Sequence, residues 1–201
     1  MKRITRLKKK SPEKGLIRKF WWFIWESPSA WSWIIDLILL YILVKFVFFP
    51  VAGLMAGTSL PSVIVESGSM HHSGNFEEWW NNFGSWYEEH NISINDAMNW
   101  QFTNGIDKGD IILVSGRIEG NLKVGDVIIF DAGQSKPIIH RVISISGNIG
   151  TKGDNNAEQL SAEKEIEKEK IVGRAIFRIP KIGWAKLIFV ELANSLSKAY
   201  R

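Results

Sequence analysis

Lys108-Gly109-Asp110-Ile111-Ile112-Leu113-Val114 joins a Gly-Asp turn directly to a run of apolar, mostly β-branched residues, a pattern that predicts a β-strand. The same arrangement returns at Gly125-Asp126, which precedes the apolar residues 127–130. Three further runs rich in β-branched residues occupy residues 62–65, 138–145 and 171–179. Short strands separated by Gly-, Asn- and Asp-bearing turns predict a small, mainly β, mostly antiparallel domain over residues 58–181.

Residues 71–107 interrupt this β pattern. Six aromatic side chains recur there at helical spacings, and Asn75 stands where a helix N-cap is expected. We therefore predict a helical insertion. Aromatic residues at such spacings more often form a packing face than a substrate pocket, and we interpret them in that way.

An apolar segment at residues 31–57 precedes the β domain and carries only two charged residues, Asp36 and Lys45. It is long enough to cross ~30 Å of hydrocarbon as a helix. A secretory signal peptide is the competing interpretation, but its apolar region would be shorter and closer to the N-terminus. We predict a retained transmembrane helix.

The charge distribution explains the net charge of +4 and predicts an orientation. Residues 1–30 are strongly basic, with nine lysines and arginines in the first nineteen positions, whereas no lysine or arginine lies between Lys45 and Lys108. The basic N-terminus is therefore predicted to be cytosolic and the β domain extracytoplasmic. Such local basic charge beside a membrane span does not indicate a nucleic-acid partner.

The C-terminal residues 182–201 contain an apolar run of helical spacing that is interrupted by Lys186 and Glu191. The run is short for a membrane span. We predict an amphipathic helix that lies on the domain or in the membrane interface, with a second span as the alternative.

Candidate catalytic chemistry starts from Ser67-Gly68-Ser69-Met70, just outside the predicted span. The chain has no cysteine, so a covalent nucleophile would have to be serine, threonine, lysine or a carboxylate. Ser69 stands among small residues that leave its hydroxyl accessible. A plain turn explains the same four residues, and the motif alone does not decide between the two.

A serine nucleophile needs a base, and His140 is the histidine with strong strand residues on both sides. A rigid strand is a better platform for a base than a turn. Asp154, in the turn Gly153-Asp154-Asn155, is the natural candidate to orient the imidazole. A satisfied, half-buried histidine and a self-satisfied Asp-Asn turn remain the structural alternatives.

Four blocks in this order resemble the type I signal peptidases, which are membrane-bound serine peptidases. The blocks are residues 67–70, Lys108 to Val114, Ile139-His140-Arg141-Val142 and Lys152-Gly153-Asp154-Asn155-Asn156. Histidine in the third block, where bacterial members carry lysine, makes the chain similar to the archaeal and endoplasmic-reticulum branch. The resemblance implies the signal-peptidase type of antiparallel β domain behind one N-terminal anchor, with residues 58–181 as the catalytic domain.

By this resemblance Ser69 is the nucleophile, His140 the general base and Asp154 the orienting acid. The oxyanion hole is formed by the Ser69 backbone N–H and the Ser67 hydroxyl. No metal or organic cofactor is implied. The implied partners are signal peptides of secretory preproteins, membrane lipid and the protein-export channel, and the implied location is the cell membrane.

The chain departs from the family pattern after Asp154. Members of this branch carry a second aspartate a few residues later, where this chain continues Ala157-Glu158-Gln159-Leu160. Glu158 is the candidate to replace that acid. The segment Ser161 to Lys170, rich in Glu and Lys, is interpreted as a solvated loop or short helix.

Two other classes remain compatible with parts of the sequence. A non-catalytic, membrane-tethered β module that binds exported chains would keep the anchor and the Gly-Asp turns but would not need Ser69 and His140 together. A self-cleaving repressor-type protease would be soluble, would use a lysine base and would carry a DNA-binding region.

Overall fold

The computed structural model describes residues 15–25, 29–118, 120 and 122–199. The chain divides into two compact units, one that ends at Val51 and one that begins at Ala52. Residues 1–14 and 26–28 of the predicted basic N-terminus, residues 1–30, lie outside the described residues.

The N-terminal part of the chain is helical. Helix α1 spans Leu16–Trp25, and a continuous apolar helix follows at Ala30–Ala56, with 27 residues and a mean hydropathy of 2.4. Within it, α2 (Ala30–Leu43) leads through a π-helical turn at Val44–Phe48 into α3 (Phe49–Ala56). Within the described ranges this is the one helix long and apolar enough to cross a membrane, as predicted for residues 31–57.

Among the described residues, six strands form a single antiparallel sheet in the order β1-β2-β6-β3-β4-β5, which confirms the predicted fold class. β1 and β5 are the sheet edges. The apolar strand β3 lies inside the sheet with all four residues buried, as expected of a strand covered on both faces. The strands are β1 Ser62–Ile64, β2 Ile111–Ser115, β3 Val127–Phe130, β4 Ile138–Ser144, β5 Gly150–Lys152 and β6 Ile171–Ile179.

Both Gly-Asp turns are used in the same way, and a tryptophan covers each of them. Gly109 and Gly125 have φ of 89° and 96°, a left-handed conformation that favours glycine. A Cβ on Gly109 would lie 2.2 Å from the Trp184 ring, and one on Gly125 would lie 2.1 Å from the Trp100 ring. These glycines therefore serve both the turn and the close packing of elements outside the sheet.

The helical insertion consists of α4 (Phe76–Glu89) and α5 (Ile94–Met98). Asn75 caps α4 as predicted, because its side chain accepts the Glu78 N–H at 2.9 Å. The aromatic residues form a packing face, as expected: Trp79, Trp80 and Tyr87 are buried in one cluster with Ile92, Ala97 and Ile143.

The C-terminal helix α6 spans Trp184–Ala199. Leu187 is buried and Trp184 half-buried, whereas Ile188, Phe189 and Leu192 remain exposed. Lys108 contributes to the attachment of the helix, because its ammonium lies 5.2 Å from the Trp184 ring centre and 3.3 Å from Glu191. The placement of this helix in a membrane interface stays a prediction.

Candidate active site

Ser69 and His140 meet in space, although 71 positions separate them in the sequence. Ser69 lies in the turn that follows β1, and His140 projects from the middle of β4, where it is 3% exposed. The His140 Nε2 atom lies 2.9 Å from the Ser69 Oγ atom, within the range of a nucleophile–base hydrogen bond. The Ser67 Oγ atom lies 3.1 Å from the same hydroxyl.

Glu163 occupies the other side of the His140 imidazole. Its Oε1 atom is hydrogen bonded to Nδ1 of His140, and the carboxylate is fully buried at the end of a 3₁₀ turn, Ser161–Glu163. Thr151 donates its hydroxyl to Oε1 at 3.3 Å, and Leu160 donates its backbone N–H to Oε2 at 2.7 Å. These two donors fix the carboxylate beside the ring, the arrangement that holds an imidazole in one tautomer and orientation.

Asp154 does not occupy the place that the sequence predicted for it. Both of its oxygens face Arg141, with distances of 2.8 Å to Nε and 2.6 Å to Nη2, and Oδ2 also lies 2.9 Å from Nε2 of His72. Burial disfavours the ionised carboxyl, but the Arg141 charge and these hydrogen bonds outweigh it, so the pKa of Asp154 lies well below its usual range. The contact of Asp154 with His140 was therefore wrongly predicted, since an adjacent buried guanidinium competes for that carboxylate.

Arg141, the neighbour of His140 on β4, uses every N–H of its guanidinium. Besides the two bonds to Asp154, it donates to the carbonyls of Gln101, Gly125 and Phe102 at 2.8, 2.9 and 3.3 Å. The group is fully buried and lies 4.8 Å from the Trp100 ring centre. One side chain therefore connects the Asp154 turn, the insertion and the second Gly-Asp turn.

The turn after β5 supports the backbone of Ser69. The Asn155 N–H donates to the Ser69 carbonyl at 2.8 Å, and the Asn155 side chain donates to the Gly68 carbonyl at 3.1 Å. Gly153 packs closely against the segments of Ser69 and His140: an added Cβ would lie 2.8 Å from Nε2 of His140 and 2.9 Å from the Ser69 carbonyl oxygen. Only glycine fits there without displacing one of the two groups.

Glu158, the candidate auxiliary acid, lies away from His140. Its side chain is exposed and accepts the indole N–H of Trp86 at 3.3 Å. The acid that contacts the imidazole, Glu163, comes five positions later, inside the segment interpreted as a solvated loop. In the part of the chain that the structure describes, no group of three or more His, Asp or Glu side chains is arranged to hold a metal ion.

No family model matches the chain. Curated relatives do match, and they carry the name signal peptidase complex catalytic subunit SEC11. The chain is 36% identical over 96 residues to the protein from Candida tropicalis and 34% identical over 97 residues to that from Debaryomyces hansenii. It is 33% identical over 93 residues to the human protein SEC11C. This chain is a homologue of signal peptidase catalytic subunits.

The matches cover 40–42% of this chain and 48–58% of each of these relatives, so the chain spans about half the length of the curated relatives it matches. These relatives are named as catalytic subunits of a peptidase, and the similarity to them agrees with the resemblance found in the sequence.

Glu163 was missed because the residue types around it suggest solvent. Residues 161–170 alternate Glu and Lys, and a charged run of this kind usually covers a surface. One signal was present: Glu163 stands three positions after Leu160, the spacing at which a carboxylate reaches back to the first backbone N–H of a helical turn. That spacing predicts the turn, but it does not predict that the second carboxylate oxygen faces a histidine.

Proposed function

We propose that this protein is a membrane-bound serine endopeptidase of the signal peptidase type, which removes N-terminal signal peptides from exported preproteins. The contact of Ser69 Oγ with His140 Nε2 at 2.9 Å, backed by the buried Glu163, carries this proposal. The homologues named as catalytic subunits support it and do not favour the alternative of a non-catalytic binding module.

The chemistry follows from the positions of these three groups. Ser69 Oγ attacks the scissile carbonyl carbon while His140 Nε2 takes its proton, and the resulting imidazolium keeps its Nδ1–H on Glu163. The imidazolium then protonates the leaving amine, which becomes the new N-terminus of the mature protein. A water molecule, deprotonated by the same imidazole, hydrolyses the acyl-serine and releases the signal peptide. Glu163 orients the ring and stabilises its charged form.

The developing oxyanion would be held by the Ser69 backbone N–H and the Ser67 hydroxyl. Ser67 supports this role by its position, since its Oγ lies 3.1 Å from the nucleophile oxygen. A donor aimed at charge that appears only in the transition state lowers the barrier without tightening ground-state binding.

The substrate would bind as an extended chain along residues 61–66 and beside the strand that leads to His140. β1 supports this assignment because it is an edge strand of the sheet, and an edge strand can accept a further strand through its main chain. Shallow pockets for small side chains before the cut would then set the cleavage position.

The membrane arrangement completes the proposal. The helix Ala30–Ala56 would anchor the protein, with the basic N-terminus in the cytosol and the domain that carries Ser69 outside. Signal peptides emerging from the membrane would then meet Ser69 just beyond the anchor. The protein-export channel is the proposed neighbour at this site.

Cleavage of a model preprotein by the purified full-length protein in detergent tests the function. The preprotein carries small residues before the processing site, and the variants are Ser69→Ala and His140→Ala. Ser73→Ala and His90→Ala are matched controls, because both residues are exposed. We expect cleavage by wild type and by both controls, and loss of it in the two active-site variants. Cleavage by Ser69→Ala at the wild-type rate would refute the serine mechanism, and no cleavage by any form would favour the binding module.

A further inference from the structure

Lys152, the last residue of β5, is fully buried although it is not part of the proposed mechanism. Its ammonium lies among three aromatic rings of α4, at 5.4 Å from the ring centre of Phe83 and 4.9 Å from those of Trp86 and Tyr87. These distances are within the range of cation–π attraction. A helix of the insertion thus encloses a cation that belongs to the sheet.

The burial of this charge is not explained by an ion pair. No carboxylate of the described residues lies within ion-pair distance of Lys152 Nζ, and its hydrogen bond goes to the Gly153 carbonyl at 3.2 Å. Removing an ammonium from water is costly, and an apolar side chain of similar length would fill the same space without that cost. The cation therefore has a role other than filling the core.

Lys152 binds the carbonyl of Gly153, and Gly153 itself lies beside the proposed active site. Gly153 lies against Nε2 of His140 and the Ser69 carbonyl, and the same turn supplies the Asn155 N–H that binds Ser69. A shift of this peptide would move the nucleophile relative to its base. Misplacement by about 1 Å can cost on the order of 10²-fold in rate.

We propose that Lys152 is a positioning residue whose ammonium, held by Phe83, Trp86 and Tyr87, fixes the Gly153 carbonyl and keeps the turn against Ser69 and His140. This inference rests on the proposed function. It gives the helical insertion a role in that function, since the rings of α4 hold the ammonium that binds the Gly153 carbonyl.

The pH dependence of kcat distinguishes positioning by the charged Lys152 side chain from a merely structural role, which would not depend on the ionisation of Lys152. Burial lowers the pKa of Lys152 to about 8, and the neighbouring carboxylates partly oppose that change. The charged and titratable groups that face it are Asp154, Glu163, Glu158, Tyr87 and Arg141. The positioning contact should therefore weaken as the pH rises through about 8.

The test compares the kcat and KM of the full-length protein in detergent for Lys152→Met, Lys152→Arg and Phe83→Leu. Lys168→Met is the control, because Lys168 is an exposed lysine outside the site. We expect Lys152→Met to lose about 10²-fold in kcat with little change in KM, and Phe83→Leu to lose less. Wild-type kcat should fall above pH about 8. Lys152→Arg should keep its activity at higher pH, because a guanidinium stays charged.

Two results would overturn the proposal: wild-type kcat in Lys152→Met, or the same alkaline decline in Lys152→Arg as in wild type. If Lys152→Met does not fold, the other two variants decide. Wild-type kcat in Phe83→Leu, or the same alkaline decline in Lys152→Arg as in wild type, would then overturn the proposal. If wild type cleaves no preprotein, the proposed function fails by itself. The nitrogen NMR signals of the His140 side chain then decide on Lys152, since they should shift in Lys152→Met and not in Lys168→Met.

Discussion

Glu163 binds the Nδ1 atom of His140 with one carboxylate oxygen and the backbone N–H of Leu160 with the other. The acid behind the proposed base therefore belongs to a 3₁₀ turn of its own and not to the segments that carry Ser69 and His140, although Thr151 of β5 also donates to it. This separation allows the acid to be tested without disturbing the Ser69 turn.

Glu163→Gln should lower kcat by about 10³–10⁴-fold, because an amide cannot hold the imidazole in the required tautomer or stabilise its charged form. Glu158→Gln is the matched control and should stay within about twofold of wild type, since surface substitutions seldom exceed ~0.5 kcal/mol. Steady-state cleavage of a preprotein measures both. Equal losses in the two variants would contradict the assignment of Glu163.

Asp154→Asn should act on stability, because it leaves Arg141 buried without its counter-charge. The loss of one partner of a buried ion pair costs about 3–5 kcal/mol, and urea unfolding of the full-length protein in detergent should show a decrease of this size. A free energy of unfolding equal to that of wild type would contradict the pairing seen in the structure.

The same pair predicts a dependence of stability on pH. The pKa of Asp154 is lower in the folded protein than its ordinary value of 3.8, so the unfolded chain binds more protons in the acid range. Its stabilising contribution is thus complete above the ordinary pKa and is lost as the pH falls through the acid range. Unfolding curves from pH 7 downward should converge for wild type and Asp154→Asn, and a constant difference between them would contradict this.

Gly153→Ala should impair both folding and activity, because the new methyl group would overlap with Nε2 of His140 and the Ser69 carbonyl. We expect a loss of about 10²-fold in kcat and a lower melting temperature. Gly68→Ala is the control for melting temperature, since a Cβ at that position meets nothing within 4 Å. Equal melting temperatures for the two variants would show that the close contact does not exist in solution.

Ser67→Ala tests the oxyanion hole. Removal of one such donor costs about 10²–10³-fold in kcat and leaves KM nearly unchanged, because the bond forms only in the transition state. Steady-state kinetics separates the two parameters. A higher KM with unchanged kcat would instead make Ser67 a substrate-binding residue.

Asn91-Ile92-Ser93 offers a test of orientation, since this glycosylation sequence would face the lumen if the domain is extracytoplasmic. Translation into microsomes should yield a glycosylated form whose mobility returns to normal after endoglycosidase treatment. Asn91→Gly removes the acceptor without strain, because Asn91 has a φ of 61°. A glycan-free wild type with a protease-accessible domain would contradict the proposed topology.

The strands were predictable because they depend on local patterns, whereas the pairing of Ser69 with His140 was implied by the family resemblance and not by the local sequence. β-Branched runs behind Gly-Asp turns mark strands, and a histidine between strong strand residues has few conformations available. The partners of Asp154 and Glu163 depend on contacts between distant segments and on burial, and residue type does not encode these. Arg141 could have indicated the outcome, since a buried guanidinium next to His140 requires a carboxylate of its own.

The five hydrogen bonds of the Arg141 guanidinium also determine which segments of the folded protein can unfold locally. Because it binds the Asp154 turn, the insertion and the second Gly-Asp turn together, none of the three can detach without breaking bonds shared with the others. Amide hydrogens in these segments should therefore exchange as one cooperative unit, at rates that reflect a common opening and not separate loop fluctuations. Under the proposed function, such cooperative opening would leave few segments of the folded protein that another copy could cleave.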